Sequence, residues 1–155
     1  MNDTTLPDEA NQPRRRWMAV LARASADRLQ ALLADRGALP VHSVLRGPED
    51  GLIMVRGRAG GGGAAFNLGE MTVTRCTVRT ETGFIGHAYV AGREARRAEL
   101  AALADALMQD PDRANDIERH VITPLERELT ERRTERAAKA AATRVQFFAM
   151  QTTRS

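Results

Sequence analysis

The sequence predicts an α+β fold with N-terminal helices, a mostly antiparallel sheet in the middle, and C-terminal helices that pack on the sheet and on partners. Three observations carry this expectation. Apolar residues recur at three- and four-residue steps over residues 14–33 and again over 93–109, the period of a helix with one buried face. Between residues 41 and 92, β-branched residues alternate with polar ones, and turn formers cluster at Gly47-Pro48, residues 57–63, Gly69 and Gly83. The links between those strand candidates are too short for a crossover helix, so their pairing is mostly antiparallel.

Taken in order, residues 1–12 mix Asn, Asp, Thr and Pro with almost nothing apolar and read as a frayed tail. Pro13 opens a first helix over residues 14–24, on which Trp17, Val20, Leu21 and Ala24 share a face. Ser25, with Asp27 in the following turn, predicts the N-cap of a second helix carrying Leu29, Leu32 and Leu33 and stopping at Gly37. Strands are expected at residues 41–46, 52–58, 64–67, 71–80 and 84–90.

Leu100, Leu103, Ala104 and Leu107 predict an amphipathic helix over residues 93–109, ended by Asp110-Pro111. A last helical region is expected from about residue 113 to 148, with Thr123-Pro124 as either a kink or a fresh start capped by Thr123. Glu128 with Arg132 and Glu135 with Lys139 stand at the spacing of favourable ion pairs. The apolar stripe there is discontinuous. Leu125 and Leu129 are followed by a charged stretch over residues 131–136, so this helix is expected to project and complete its packing on another chain, with Val145, Phe147 and Phe148 as candidate interface residues. Residues 13–150 read as one domain and residues 151–155 as a tail.

Composition narrows the function classes. With 155 residues, one hydrophobic core accounts for the chain; with 43% hydrophobic but only 4% aromatic residues, that core is built from Ala, Leu and Val, and aromatic ligand cages are not expected. The 23 basic residues include a single lysine, Lys139, and an arginine-rich surface suits anions and acidic partners as well as ordinary surface pairing with the 20 carboxylates. Cys76 is the lone cysteine and, with His42, His87 and His120, fits no short metal-ligand spacing, so no metal site is expected. No N-terminal apolar run has the length of a signal peptide or membrane helix, and the chain reads as cytoplasmic.

Candidate sites are few. The run at residues 58–65, with Gly61 and Gly62 at its centre, exposes consecutive backbone N–H groups able to wrap a phosphate, yet it lacks the Gly-Lys-Ser/Thr ending of a P-loop and fits a hairpin connection equally. Strand alternation puts Leu52, Met54, Arg56 and Arg58 on one face and Ile53 and Val55 on the other. Were the register to bring Arg56, Arg58 and Arg75 together, a cationic patch would lie beside the glycines; otherwise they are a solvent-facing surface. His87 is the weak candidate for acid–base work, with no carboxylate fixed beside it by sequence. Cys76, in mid-strand, is expected to be buried and unreactive.

Several segments taken together resemble a family. Residues 17–24, 51–58 with the glycines at 60–63, 66–79, 86–93, 98–107 and 143–150 are similar, in content and order, to PhnG, a subunit of the bacterial carbon-phosphorus lyase system. The resemblance implies a core complex with PhnH, PhnI and PhnJ. With PhnH, PhnI and PhnL, the family supports formation of α-D-ribose 1-methylphosphonate 5-triphosphate from methylphosphonate and ATP with release of adenine. It implies no cofactor in this chain: ATP is a substrate of the complex, and iron–sulfur and S-adenosylmethionine chemistry belong to a partner subunit. The projecting helices and the arginine-lined surface predict a structural role in holding a partner subunit, with the isolated chain inactive and neither membrane nor nucleic acid expected as partner. A free-standing nucleic-acid-binding protein is the competing reading, prompted by a pI near 9.9, but acidic residues interleave with the basic ones and no RNA-binding motif is present.

Overall fold

The computed structural model describes residues 11–58 and 63–143. Helices α1 (Gln12–Leu21) and α2 (Ala26–Ala34) precede strands β1 (His42–Gly57), β2 (Phe66–Thr80) and β3 (Ile85–Ala91). Helices α3 (Ala95–Gln109), α4 (Pro111–Ile117) and α5 (Thr123–Ala142) follow, with a π-helical turn at Glu118–Ile122 between the last two. The strands form one antiparallel sheet in the order β1-β2-β3. This is the predicted α+β class.

The helix starts follow local chemistry. Gln12 already belongs to α1, one residue inside the segment expected to be a tail, because Pro13 sits comfortably in a first turn. Ser25 caps α2 by accepting the Arg28 N–H at 3.3 Å, and Gly37 takes the left-handed conformation after it, with φ of 111°. Asp110 ends α3 and caps α4 through the Asp112 N–H, so the next helix starts at Pro111 rather than two residues later.

Three long strands stand where five short ones were expected. Gly47 and Pro48 do not end a strand. Arg46 faces Thr77 and Glu49 faces Arg75, so the pair bulges opposite Cys76 within a continuous β1. Gly47 has φ of 74° and a side chain there would run into the Arg75 carbonyl; Pro48 lies on an edge strand. Gly69 is likewise absorbed, since Val55 faces Gly69 and Arg56 faces Asn67, leaving Leu68 as the extra residue of a second bulge.

The core lies between the sheet and α3. One face of β2, with Cys76 and Val78, meets Ala88 and Val90 of β3 beneath α3. Gly86 lets β3 approach the α3 backbone so closely that any Cβ there would overlap the Ala102 carbonyl and the Ala106 amide. The predicted one-sided amphipathic helix is corrected: α3 is buried nearly all round, because α1, α2 and α4 cover the side turned away from the sheet. Its one buried charge, Asp105, holds Arg14 at 2.7 Å and the Trp17 indole at 2.8 Å, and accepts the His87 backbone N–H at 2.9 Å. That carboxylate fastens α1 and β3 to α3.

At Thr123-Pro124 the chain neither kinks free nor caps a new helix. Thr123 is helical, its side chain caps nothing, and the π turn before it absorbs the ring that an unbroken α-helix would not accommodate. Arg16 clamps this region, reaching Glu118 at 2.8 Å and Glu126 at 2.6 Å. Glu135 pairs with Lys139 as expected, whereas Glu128 turns to Arg28 of α2 at 2.7 Å and leaves Arg132 without a carboxylate partner among the described residues. From Thr130 to the end of α5 every described residue is exposed, so this helix does project.

Candidate functional site

The register separates the arginines that the sequence offered as a patch. Arg56 lies opposite Asn67 and Arg75 opposite Glu49, eight residues further along β2, or roughly 26 Å at ~3.3 Å per residue. They also project from opposite faces, because Arg56 shares the side of Leu52 and Met54 while Arg75 shares that of Ile53 and Met71. Arg75 is moreover engaged. Its Nε donates to Glu49 Oε1 at 2.6 Å, Arg46 Nε donates to the same oxygen at 2.6 Å, and Arg46 followed by Arg75 holds the Glu49 carboxyl below its usual range. Arg58 is exposed at the open end of the ribbon. Gly61 and Gly62 lie outside the described residues, as do Val145, Phe147 and Phe148.

His87 projects from the outer face of β3, where its Nδ1 pairs with the Thr77 hydroxyl at 3.1 Å. A small apolar pocket of about 210 Å³, lined by Met18, Leu21 and Tyr89 among others, opens beside it. Asp105 touches only the backbone of His87 and is already saturated by Arg14 and Trp17, so no carboxylate orients the ring among the described residues. Cys76 is buried, and desolvation pushes its thiol up to about 11, which keeps it protonated and inert at neutral pH.

Two other features are prominent. The first is the far end of the β1–β2 ribbon, beyond the reach of β3. Leu52, Ile53, Met54, Phe66, Leu68 and Met71 all lie there, between 39% and 64% exposed. Cross-strand pairing gathers Ile53 with Met71, and Gly57 with Phe66, on one face; the missing side chain of Gly57 makes room for Leu68. A two-stranded ribbon with large apolar side chains on both sides is an unusual surface for a free chain.

The second is a groove of about 580 Å³ between α5 and the body. Leu129, Arg132, Arg133 and Arg136 stand at helix steps of three and four and therefore share one face of α5. Opposite them are Arg23, just after α1, and Arg97 on the first turn of α3, with Ala22 and Ala91 as the floor. None of these five arginines has a carboxylate partner among the described residues. Arg23 donates to the Ala19 carbonyl and Arg97 to the Ala91 carbonyl, while the Arg97 Nε is buried with no hydrogen-bond partner. Sequence reasoning missed this groove. The signal was present as Leu-x-x-Arg-Arg-x-x-Arg, arginines at positions where an amphipathic helix would carry core residues, but its partners Arg23 and Arg97 are distant in the chain.

The family model described as "Phosphonate metabolism protein PhnG" matches residues 12–153. The chain belongs to the PhnG family. It is also 43% identical over 147 residues, 94% of this chain and 93% of the relative, to the "Alpha-D-ribose 1-methylphosphonate 5-triphosphate synthase subunit PhnG" of Rhizobium meliloti (strain 1021). Membership in PhnG places the chain in phosphonate metabolism and sets aside the reading as a free-standing nucleic-acid-binding protein. Among the described residues of this PhnG chain, no group of three or more His, Cys, Asp or Glu is placed to hold a metal ion, and no helix is long and apolar enough to cross a membrane.

Proposed function

We propose that this chain is a cytoplasmic assembly subunit of an α-D-ribose 1-methylphosphonate 5-triphosphate synthase, which joins methylphosphonate to ATP with loss of adenine. PhnH-, PhnI-, PhnJ- and PhnL-like proteins are its partners. The subunit name carried by the Rhizobium relative supports this reading. The observation that carries the assembly role is the bare ribbon, whose six large apolar side chains are left in water by the chain's own fold.

The isolated chain is proposed to be inactive. Departure of adenine from the ribose C1 needs a group that protonates or hydrogen-bonds the base, while a phosphonate oxygen attacks that carbon. His87 is poorly disposed for the task, since its Nδ1 is shared with Thr77 and the carboxylate touching its backbone is held by other groups. That function is assigned to a partner. No cofactor is proposed in this chain, with ATP entering as substrate and iron–sulfur and S-adenosylmethionine chemistry residing elsewhere in the complex.

The test is coexpression of the tagged Ile53→Asp/Met71→Lys chain, whose opposite charges face each other across the strands, with the neighbouring subunits. These side chains are exposed and paired with each other, so the chain is expected to fold with an unchanged circular dichroism melt while losing copurification and growth on methylphosphonate. Full copurification by this variant would remove the ribbon from the assembly.

A further inference from the structure

We propose that the groove between α5 and the body is a binding site for a polyphosphate chain, either free or borne by a nucleoside. The reasoning starts from charge. Five guanidinium groups face one volume that no carboxylate lines, so their mutual repulsion is uncompensated by the chain's described residues. The carboxylates of α5 are committed elsewhere: Glu128 to Arg28, Glu131 to Arg127 and Glu135 to Lys139. Most arginines of the N-terminal segment meet the opposite fate, with Arg14, Arg16, Arg28 and Arg36 each on an acid.

Hydrogen bonding gives an independent argument. The buried Nε of Arg97 is a donor without an acceptor, and an unmet buried donor is unfavourable for as long as it stays so. Its Nη2 is fixed on the Ala91 carbonyl, so the guanidinium plane is pre-set at the groove wall rather than free to swing into water. An anionic oxygen entering there would satisfy the orphan donor, and Arg forks are suited to phosphate oxygens.

Size and lining select the class of anion. A volume of about 580 Å³ lies within the range of small-ligand sites, about 300–1,000 Å³. The charges converge on this compact space, which fits a few linked phosphates better than acids strung along a peptide. The remaining lining residues are Ala22, Ala91 and Leu129, with no aromatic ring to stack on a base. Recognition therefore rests on the phosphates, and a nucleic acid, whose sites rely on stacking platforms, fits poorly.

The experiment is calorimetric titration of the full chain with sodium tripolyphosphate, ATP, AMP, a poly-glutamate peptide and a short single-stranded oligonucleotide. Tripolyphosphate and ATP are expected to bind one per chain with Kd values within about threefold of each other, and AMP at least about tenfold more weakly. ATP binding much more tightly than tripolyphosphate would overturn recognition by phosphate alone. Arg132→Ser/Arg136→Ser alters only exposed side chains and is expected to weaken tripolyphosphate at least about tenfold with an unchanged melt. Arg56→Ser/Arg58→Ser, at the distant ribbon, is expected to bind as the parent does. The proposal is overturned if neither polyphosphate binds, if the α5 pair has no effect, if the ribbon pair abolishes binding instead, or if poly-glutamate or the oligonucleotide displaces tripolyphosphate at lower concentration. It does not rest on the assembly reading, because the ribbon's apolar residues and the groove's arginines are different groups with separate readouts.

Discussion

The two ends of the β1–β2 ribbon are built alike and treated differently. At one end β3 joins the ladder and α3 lies across it, so that Thr74, Cys76 and Val78 are all but sealed from water. At the other, Leu52 and Met54 extend the same sheet face beyond α3 and are 64% and 51% exposed. Thr74 marks the border, bonding Asp50, the Gly92 carbonyl and the Glu94 amide where β3 gives way to α3. Alternation of apolar and polar residues thus specifies a strand, but it does not say whether a strand's face is covered by its own chain. The covered end carries the buried core of this molecule, and the bare end is the surface proposed above for assembly.

The largest effect is expected where the covered end is tightest. Gly86→Val places a branched side chain between β3 and the backbone of α3, where even a Cβ overlaps main-chain atoms that cannot step aside. A loss of about 3 kcal/mol or more is expected in urea unfolding, read as a lower midpoint at constant slope. A stable Gly86→Val chain would mean that β3 and α3 are not packed backbone to backbone, and the contrast between the two ends would lose its basis.

A matched pair sharpens the comparison at intermediate size. Val78→Ala removes two methyl groups from a site with no exposure, and about 2 kcal/mol of stability is expected to go with them. Leu52→Ala removes more carbon from the same sheet face at the bare end, and below about 0.5 kcal/mol is expected for the chain alone. Equal losses at the two positions, read from denaturant midpoints at constant slope, would show that the far end is covered in solution.

Most of the fold was legible because its signals are local. Ser25 as a cap, Gly37 as a stop, Asp110-Pro111 as a break and the antiparallel pairing all follow from chemistry within a few residues. Strand boundaries at Gly47-Pro48 and Gly69 were misread because a turn former in an edge ribbon is accommodated as readily by a bulge as by a turn, and which occurs depends on the partner strand. The buried surroundings of α3 were hidden for the same reason: Asp105 reads as the polar side of an amphipathic helix until Arg14 and Trp17 arrive from 91 and 88 residues away. The arginine groove is the extreme case, since Arg23, Arg97 and Arg132 are brought together by the tertiary fold alone.

The smallest expected effect lies where β1 begins. His42 stands at the start of the strand with Pro40 on one ring nitrogen and Glu99 of α3 on the other, each at 2.9 Å. Burial pushes its pKa down, but the Pro40 carbonyl and the Glu99 carboxylate together push it up further, and the balance lies above the ordinary 6.5. A raised folded pKa means that the native state binds the proton more tightly than the unfolded chain does, so this contribution is fully present below pH 6.5 and fades as pH rises through the folded value. Half-exposed Glu99 is partly screened by water, which keeps the effect modest. Chemical denaturation between pH 5.5 and 8.5 should therefore show the parent losing a little stability over the upper part of that range relative to His42→Gln, which has no proton to lose. Parallel pH profiles for the two proteins would mean that the covered end is held by packing alone, with no electrostatic tie between β1 and α3.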